Sequence, residues 1–188
     1  MATNNIKTKA ALNLPFTAIL FFVLMMIVSV TAQENKESAF VTDFFKAYDY
    51  SIDHVAQLAG AIPADKYDWR PAEGVRSIRE VVLHVAGGNY LFSSLLGSPP
   101  PEGVDARGLE KMEVSKEEAI AKLKESVAHA KKAVGMVGED ALNQEVEFFG
   151  NKVTKRHLLF IAGGHVSEHL GQLIAYARTN GVAPPWSE

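Results

Sequence analysis

The sequence predicts an all-α domain, a four-helix bundle with a long connection between its second and third helices. Three observations support this prediction. Apolar residues recur at three- and four-residue spacing in four stretches, as on the buried face of an amphipathic helix. Two of these stretches follow a capping box, in which a serine caps the first turn and a glutamate reaches back to it. The stretch 97–114, rich in Pro and Gly, is too long to join simple antiparallel neighbours.

The N-terminal segment differs from the rest of the chain. Two lysines precede an apolar run from about Leu14 to Val30, which ends in small residues at the positions that a signal peptidase reads. We therefore predict that residues 1–32 are a signal peptide and that residues 33–188 form one domain, exported to the periplasm or the outside of a bacterial cell. The alternative is an uncleaved membrane anchor, for which the run is near the lower limit of about 17 residues.

Composition excludes several classes of function. The chain has no cysteine, so disulfides, thiolate metal sites and cysteine nucleophiles are excluded. Its net charge is −3 with both signs mixed along the chain, and no basic stripe indicates a nucleic-acid partner.

The first two helices lie on either side of a turn-rich connector. The first is predicted from about Glu37 to Gly60, and the connector runs from Pro63 to Val75. The second begins after Ser77 of the first capping box and ends before Gly97. The residues expected to be buried are Phe44, Tyr48, Ile52, Val55, Ala59, Ile78, Val81, Val85 and Phe92.

The last two helices lie on either side of a short predicted hairpin. The third runs from the cap Ser115 to about Val137, with a solvated face of lysine and glutamate. Residues 145–153 alternate around a Gly-Asn pair, which predicts two short strands. Thr154 then caps the fourth helix, which runs to about Asn180 and stops at Gly181.

Two histidines four residues apart share the inward face of the fourth helix. His165 and His169 lie one above the other with apolar neighbours. A buried imidazole must be hydrogen-bonded or metal-bound, and spacing alone leaves both readings open. His84, at the edge of the apolar stripe of the second helix, would supply a third nitrogen ligand. Three protein ligands with an open position are typical of a catalytic metal site, whereas four are typical of a structural one.

The other histidines are weaker candidates. His54 flanks the buried stripe of the first helix and would act as a substrate contact more readily than as a ligand. His129 lies on the lysine-rich third helix and is predicted to be exposed to solvent. His157 lies two turns before His165, and a local role at the helix start is expected.

Three stretches are specific in combination. Residues 62–71, 76–86 and 165–172 have the sequences IPADKYDWRP, RSIREVVLHVA and HVSEHLGQ. Over nearly the whole predicted mature domain, the chain resembles the DinB-like superfamily. Its ending, GVAPP at residues 181–185, also resembles an exported subgroup of that superfamily. The resemblance implies a four-helix bundle of the DinB type that is often dimeric. It also implies a divalent metal ion held by the residues at three positions, which are here His84, His165 and His169.

The resemblance implies metal-dependent chemistry. Characterised relatives include transferases and an isomerase that use low-molecular-weight thiols, which the metal activates as thiolates. Three imidazoles favour Zn²⁺ or Ni²⁺, which would lower the pKa of a water or thiol in the open position. We therefore expect a hydrolase or thiol-type transferase acting on an unidentified small molecule. The alternative is a non-catalytic, stress-related module that binds a metal or ligand. Glu168, Asn89 and Gln172 are the nearby polar residues, and none is assigned as a general base.

Two glycine pairs flank the histidines. Gly87-Gly88 lies just after His84, and Gly163-Gly164 lies just before His165. Glycine inside a helix costs about 1 kcal/mol relative to alanine, so both pairs need a reason. They either clear space for a ligand beside the metal or allow close helix packing.

Overall fold

The computed structural model describes residues 38–187 as four helices and a two-stranded antiparallel sheet. In chain order, the elements are α1 (Ala39–Ala61), α2 (Ile78–Leu95), α3 (Lys116–Gly135), β1 (Glu145–Phe148), β2 (Asn151–Thr154) and α4 (Lys155–Thr179). The predicted four-helix bundle with one long connection is confirmed. The predicted signal peptide lies outside the described residues. Within residues 38–187, no helix has the length and apolar character needed to cross a membrane.

The caps explain why the helix starts were predictable from sequence. Ser77 Oγ accepts from the backbone N–H of Glu80 at 3.2 Å, while Glu80 Oε2 accepts from the N–H of Ser77 at 2.6 Å. Ser115 and Glu118 form the same reciprocal pair, and Thr154 caps α4. Each cap satisfies backbone donors that the first turn leaves without partners, so four residues of local sequence decide where the helix begins.

Helix α2 is the central helix of the bundle. It packs against α3, α4 and the long connection, and 11 of its 18 residues are buried. A helix covered on most of its circumference needs apolar residues on several faces, which accounts for its run of valine and leucine. The connection follows α2 closely because Gly87 has no side chain: a Cβ there would lie 2.6 Å from the carbonyl oxygen of Ala106.

A buried polar chain joins three helices. The hydroxyl of Tyr48 donates to Asn89 Oδ1 at 2.8 Å, and Asn89 Nδ2 donates to Ser126 Oγ at 3.0 Å. All three side chains are buried, so each needs these partners. Asn89 therefore points into the bundle, and its expected place beside the metal is wrong.

The hairpin forms one residue earlier than its Gly-Asn pair suggested. Phe148 pairs with Asn151, so the turn consists of Phe149 and Gly150. Both have positive φ, 47° and 78°, as in the type I′ turns that match the twist of two antiparallel strands. Such turns favour Asn-Gly, and a phenylalanine at the first position is an unusual choice.

Candidate metal centre

Three histidines from two helices converge at one point. His84 of α2 and His165 and His169 of α4 each offer a nitrogen within 4.8 Å of the other two. Their ring centroids are 4.6 to 5.0 Å apart. The Nε2 atoms of His84 and His165 are separated by 3.1 Å. The structure thus brings together the three residues that the sequence singled out.

Hydrogen bonds orient two of the three rings. The Nδ1–H of His84 donates to Glu110 Oε2 at 2.8 Å, and the Nδ1–H of His169 donates to Gln172 Oε1 at 2.8 Å. The amide of Gln172 donates in turn to the hydroxyl of Tyr176, which holds its oxygen toward the histidine. With the proton on Nδ1, each of these rings presents the lone pair of Nε2 to the centre.

Glu110 is held in place by an arginine. Arg76 Nε and Nη2 donate to its two carboxylate oxygens at 2.8 and 3.3 Å. Partial burial alone would raise the pKa of Glu110, but the hydrogen bonds from Arg76 and His84 hold that pKa below its usual range. The carboxylate is therefore charged at neutral pH and strengthens the basicity of the His84 ring.

Burial favours the uncharged form of two ligand candidates, His165 and His84. Burial, together with smaller contributions from the neighbouring His169, His84 and Arg76, lowers the pKa of His165 to about 3. Burial also lowers the pKa of His84, against the hydrogen bond to Glu110 that raises it. Metal ions bind the neutral form of imidazole, so these rings have the protonation state that a ligand needs.

The donor set fits a divalent metal ion. Two nitrogens bound at 2.0–2.1 Å to one tetrahedral ion are about 3.3 Å apart, and the His84–His165 separation is 3.1 Å. A single shared proton could join only one pair of these nitrogens, whereas an ion can bind all three. His165 Nδ1 is buried and has no hydrogen-bond partner within residues 38–187, so no second group orients this ring.

An open cavity of about 1070 Å³ leads to the histidines. His84 and His165 are among the residues that line it, while His169 is buried with 6% of its surface exposed. Glu168 lines the cavity wall and is exposed to solvent. The open side of the histidine cluster therefore faces a space that can hold a ligand.

The glycine pairs serve both expected purposes. Gly88 and Gly164 line the cavity, as does Gly87. A Cβ at Gly88 would lie 2.5 Å from His165 Cε1, whereas one at Gly164 would meet no atom within 4 Å. Gly163 faces Phe44 at an ordinary packing distance and does not line the cavity. Gly88 thus makes room for a ligand-candidate ring, and Gly164 leaves free space.

The remaining histidines lie elsewhere. His54 packs against Tyr50 and Trp186 and is not part of the cluster. His157 is exposed at the start of α4, as expected. The prediction that His129 is solvent-exposed is wrong: it is half-buried, and its Nε2–H donates to the carbonyl of Ser98 at 3.1 Å, which anchors the start of the long connection.

Sequence reasoning missed the residues that the long connection brings to the site. Glu110 lies in a short 3₁₀ turn, Leu109–Lys111, that packs on α2. Arg107 lines the cavity from the same connection. No periodicity relates these residues to His84, 23 or more positions away in the sequence, so no local signal identifies them.

Comparison with known proteins supports the family resemblance. The family model described as DinB superfamily matches residues 47–173. The Bacillus subtilis protein YjoA is 30% identical to the chain over 128 residues, which cover 66% of this chain and 80% of YjoA.

Solved structures share the fold. A DinB-like protein from Bacillus cereus matches with a TM-score of 0.63 at 15% identity, over 77% of this chain and 95% of that one. The YjoA structure matches with a TM-score of 0.56 at 26% identity, over 77% and 92%. A mycothiol-dependent maleylpyruvate isomerase matches with a TM-score of 0.59 at 16% identity, over 72% of this chain and 63% of the isomerase. Likeness at 15 and 16% identity shows the common fold alone.

Proposed function

The chain belongs to the DinB superfamily, and on this premise we propose that it is a metal-dependent enzyme. The proposed ligands are His84, His165 and His169. The observation that carries the proposal is the orientation of the rings: Glu110 and Gln172 hold the Nδ1 protons of two of them, so that their Nε2 lone pairs point to one centre beside a cavity.

A divalent ion at this centre, with Zn²⁺ or Ni²⁺ favoured by imidazole ligands, would supply Lewis-acid chemistry to a water or thiol in its open position. The chain's own residues prepare the site. Arg76 holds Glu110, and Glu110 holds His84.

Two reaction classes fit this arrangement: hydrolysis, and transfer to or from a thiol. The fold shared with a mycothiol-dependent isomerase supports the thiol class. Among the described residues, the carboxylates that line the cavity are Glu110, already paired with Arg76, and the exposed Glu168. A pair of poised acid and base groups is therefore not present, and this favours a second candidate function, a non-catalytic module that binds a metal or a small ligand.

The test is metal analysis of the purified full-length protein by mass spectrometry. We expect about one divalent ion per chain, lost in His84→Ala with the helical circular dichroism retained. His54→Ala is the matched control, because this half-buried histidine lies outside the cluster. Metal content near zero in the unsubstituted protein contradicts both the metal-dependent enzyme and a metal-binding module, and leaves only a module that binds a small ligand. Unfolding on chelation contradicts an open functional site and indicates a structural ion. Hydrolase and thiol-transferase assays of the loaded protein then separate the enzyme from the binding module.

We also propose, from the sequence alone, that the protein is exported and that its signal peptide is removed after Ala32. Mass measurement of the protein recovered from the periplasm and medium tests this directly. The full mass in a membrane fraction supports the anchor instead. Dimerisation, which the family resemblance implies, is tested by the molar mass in solution.

A further inference from the structure

We propose that the cavity binds a small molecule with an apolar body and one anionic group, whose anionic group pairs with Arg107 and whose body lies along an aromatic wall ending at Phe149. The inference rests on the proposed function only in that such a molecule would react at the metal centre. The residues that would bind the molecule are different from the proposed metal ligands.

The wall is a continuous series of aromatic rings. Phe149 lies against Phe148 at 4.6 Å between centroids, Phe148 against Phe92 at 6.0 Å, and Phe92 against His165 at 5.6 Å. The three phenylalanines and His165 all line the cavity. Aliphatic side chains line the rest: Leu83, Leu91, Leu95 and Ile161. Such a surface removes the apolar part of a ligand from water, while the fewer polar side chains of the lining, among them Ser94 and Arg107, are left to bind a polar group.

Phe149 occupies a position that its residue type disfavours. Its φ is 47°, in the left-handed region, and its side chain is 79% exposed. A bulky residue in this conformation strains the backbone, and asparagine would fit the turn better. Since the ring is mostly uncovered, burial within the chain does not compensate for the strain. Contact with a ligand would explain why a phenylalanine occupies this strained, exposed position beside the cavity.

Charge selects an anion. The guanidinium of Arg107 lines the cavity and forms no ion pair with any described residue. The other arginine nearby, Arg76, is paired with Glu110. Imidazole ligands are neutral, so a bound divalent ion would keep its full positive charge. Glu168 is the one opposing charge on the wall that lacks a described partner. Glu168 and Arg107 are both exposed to solvent, so screening weakens both charges, and a bound divalent ion would make the cavity positive overall.

The probes are 1-octanesulfonate and octyltrimethylammonium, which share an alkyl chain and differ in the sign of the head group. A sulfonate is a weak metal ligand, so its binding reports Arg107 more than the metal. Affinities are measured by calorimetry on the full-length protein, with and without metal. We expect the sulfonate to bind more tightly than the ammonium. We also expect its affinity to rise about fourfold per methylene from hexane- to octanesulfonate.

Arg107→Gln tests the charge. We expect it to weaken sulfonate binding about tenfold, as for the loss of one charge-assisted hydrogen bond, without changing metal affinity. Arg178→Gln, at an exposed arginine in the last turn of α4, is the control. Equal affinity for both head groups, or sulfonate binding that does not respond to Arg107→Gln, overturns the proposal.

Phe149→Asn tests the wall because stability and binding should move in opposite directions. Relief of the strained turn should raise Tm by about 2–4 °C. Loss of about 40 Å² of covered ring should weaken sulfonate binding about fivefold. Phe160→Ala removes another exposed ring, 64% exposed against 79% for Phe149, that lies outside the cavity, and should leave binding unchanged. Unchanged sulfonate affinity in Phe149→Asn overturns the role of the ring, and a lowered Tm shows that it serves the turn instead.

The metal and the cavity can fail separately. If the protein binds no metal but the metal-free form binds the sulfonate through Arg107, the proposed enzyme is wrong and the cavity assignment stands. If the protein binds metal and Arg107→Gln does not change sulfonate affinity, the proposed metal centre stands and the cavity assignment is wrong.

Discussion

Replacement of Glu110 by glutamine separates metal binding from stability. The carboxylate accepts from His84 Nδ1 at 2.8 Å and pairs with Arg76 at 2.8 Å. A neutral amide is a weaker acceptor for the imidazole and cannot form the ion pair. Partners of this kind are typically worth about 10–100-fold in metal affinity, or about 1.4–2.8 kcal/mol. The Arg76–Glu110 pair itself is about a third exposed on both sides, so its loss should cost folding about 0–1 kcal/mol.

The assay is competition for Zn²⁺ against a chromophoric chelator, with thermal unfolding of the metal-free protein alongside it. Glu110→Gln should bind Zn²⁺ about 10–100-fold more weakly than the unsubstituted chain, with little change in Tm. Glu102→Gln, an exposed glutamate of the same connection, is the control and should change neither quantity. Equal Zn²⁺ affinity in Glu110→Gln and the unsubstituted protein would refute the view that this carboxylate orients a metal ligand.

Three further predictions follow from individual contacts. Gly88→Ala should displace the ring of His165 and weaken Zn²⁺ binding, because the added Cβ would lie 2.5 Å from His165 Cε1. In Gly164→Ala the added Cβ meets no atom within 4 Å, so this control should bind Zn²⁺ normally. Equal effects of the two substitutions on Zn²⁺ affinity would argue against the close approach of Gly88 and His165. Asn89→Ala leaves the buried Tyr48 hydroxyl without its partner, whereas Ser126 keeps its bond to the carbonyl of Leu123. The substitution should lower the free energy of unfolding in urea by about 1–3 kcal/mol, with Zn²⁺ affinity unchanged, and a loss of Zn²⁺ binding would place Asn89 at the site after all. Ser115→Ala removes the cap of α3 and should cost about 0.5–2 kcal/mol in the same measurement, and no loss would mean that the capping box is dispensable.

The positions of the helices were predictable because their determinants are local. Capping serines lie three residues from their glutamates, and the buried stripe repeats every turn, so each helix carries its own start and its own inward face. The same periodicity placed His165 and His169 on one face. The hairpin was found but its turn was displaced by one residue, because Phe149 at positive φ contradicts the usual residue preference.

Polar residues in the interior were less predictable. Asn89 was expected beside the metal, but it bonds to Tyr48 and to Ser126 across the bundle. His129 was expected in solvent, but it anchors the long connection through Ser98. In both cases the hydrogen-bond partner that keeps the side chain in the interior comes from another helix or from a loop, and periodicity within one helix cannot identify it.

By itself, the sequence determined the four helices, the caps of the last three, and the three histidines that lie together. Those properties depend on residues within one or two turns of each other, or on the inward direction of an amphipathic face. Only the tertiary structure decided that Glu110 orients His84, that Arg107 and Phe149 reach the same cavity, and that Gly88 makes room for His165. These residues come from a connection and a turn with no repeating pattern. Their positions are set by packing against α2 and by strand register, which involve parts of the chain far apart in sequence.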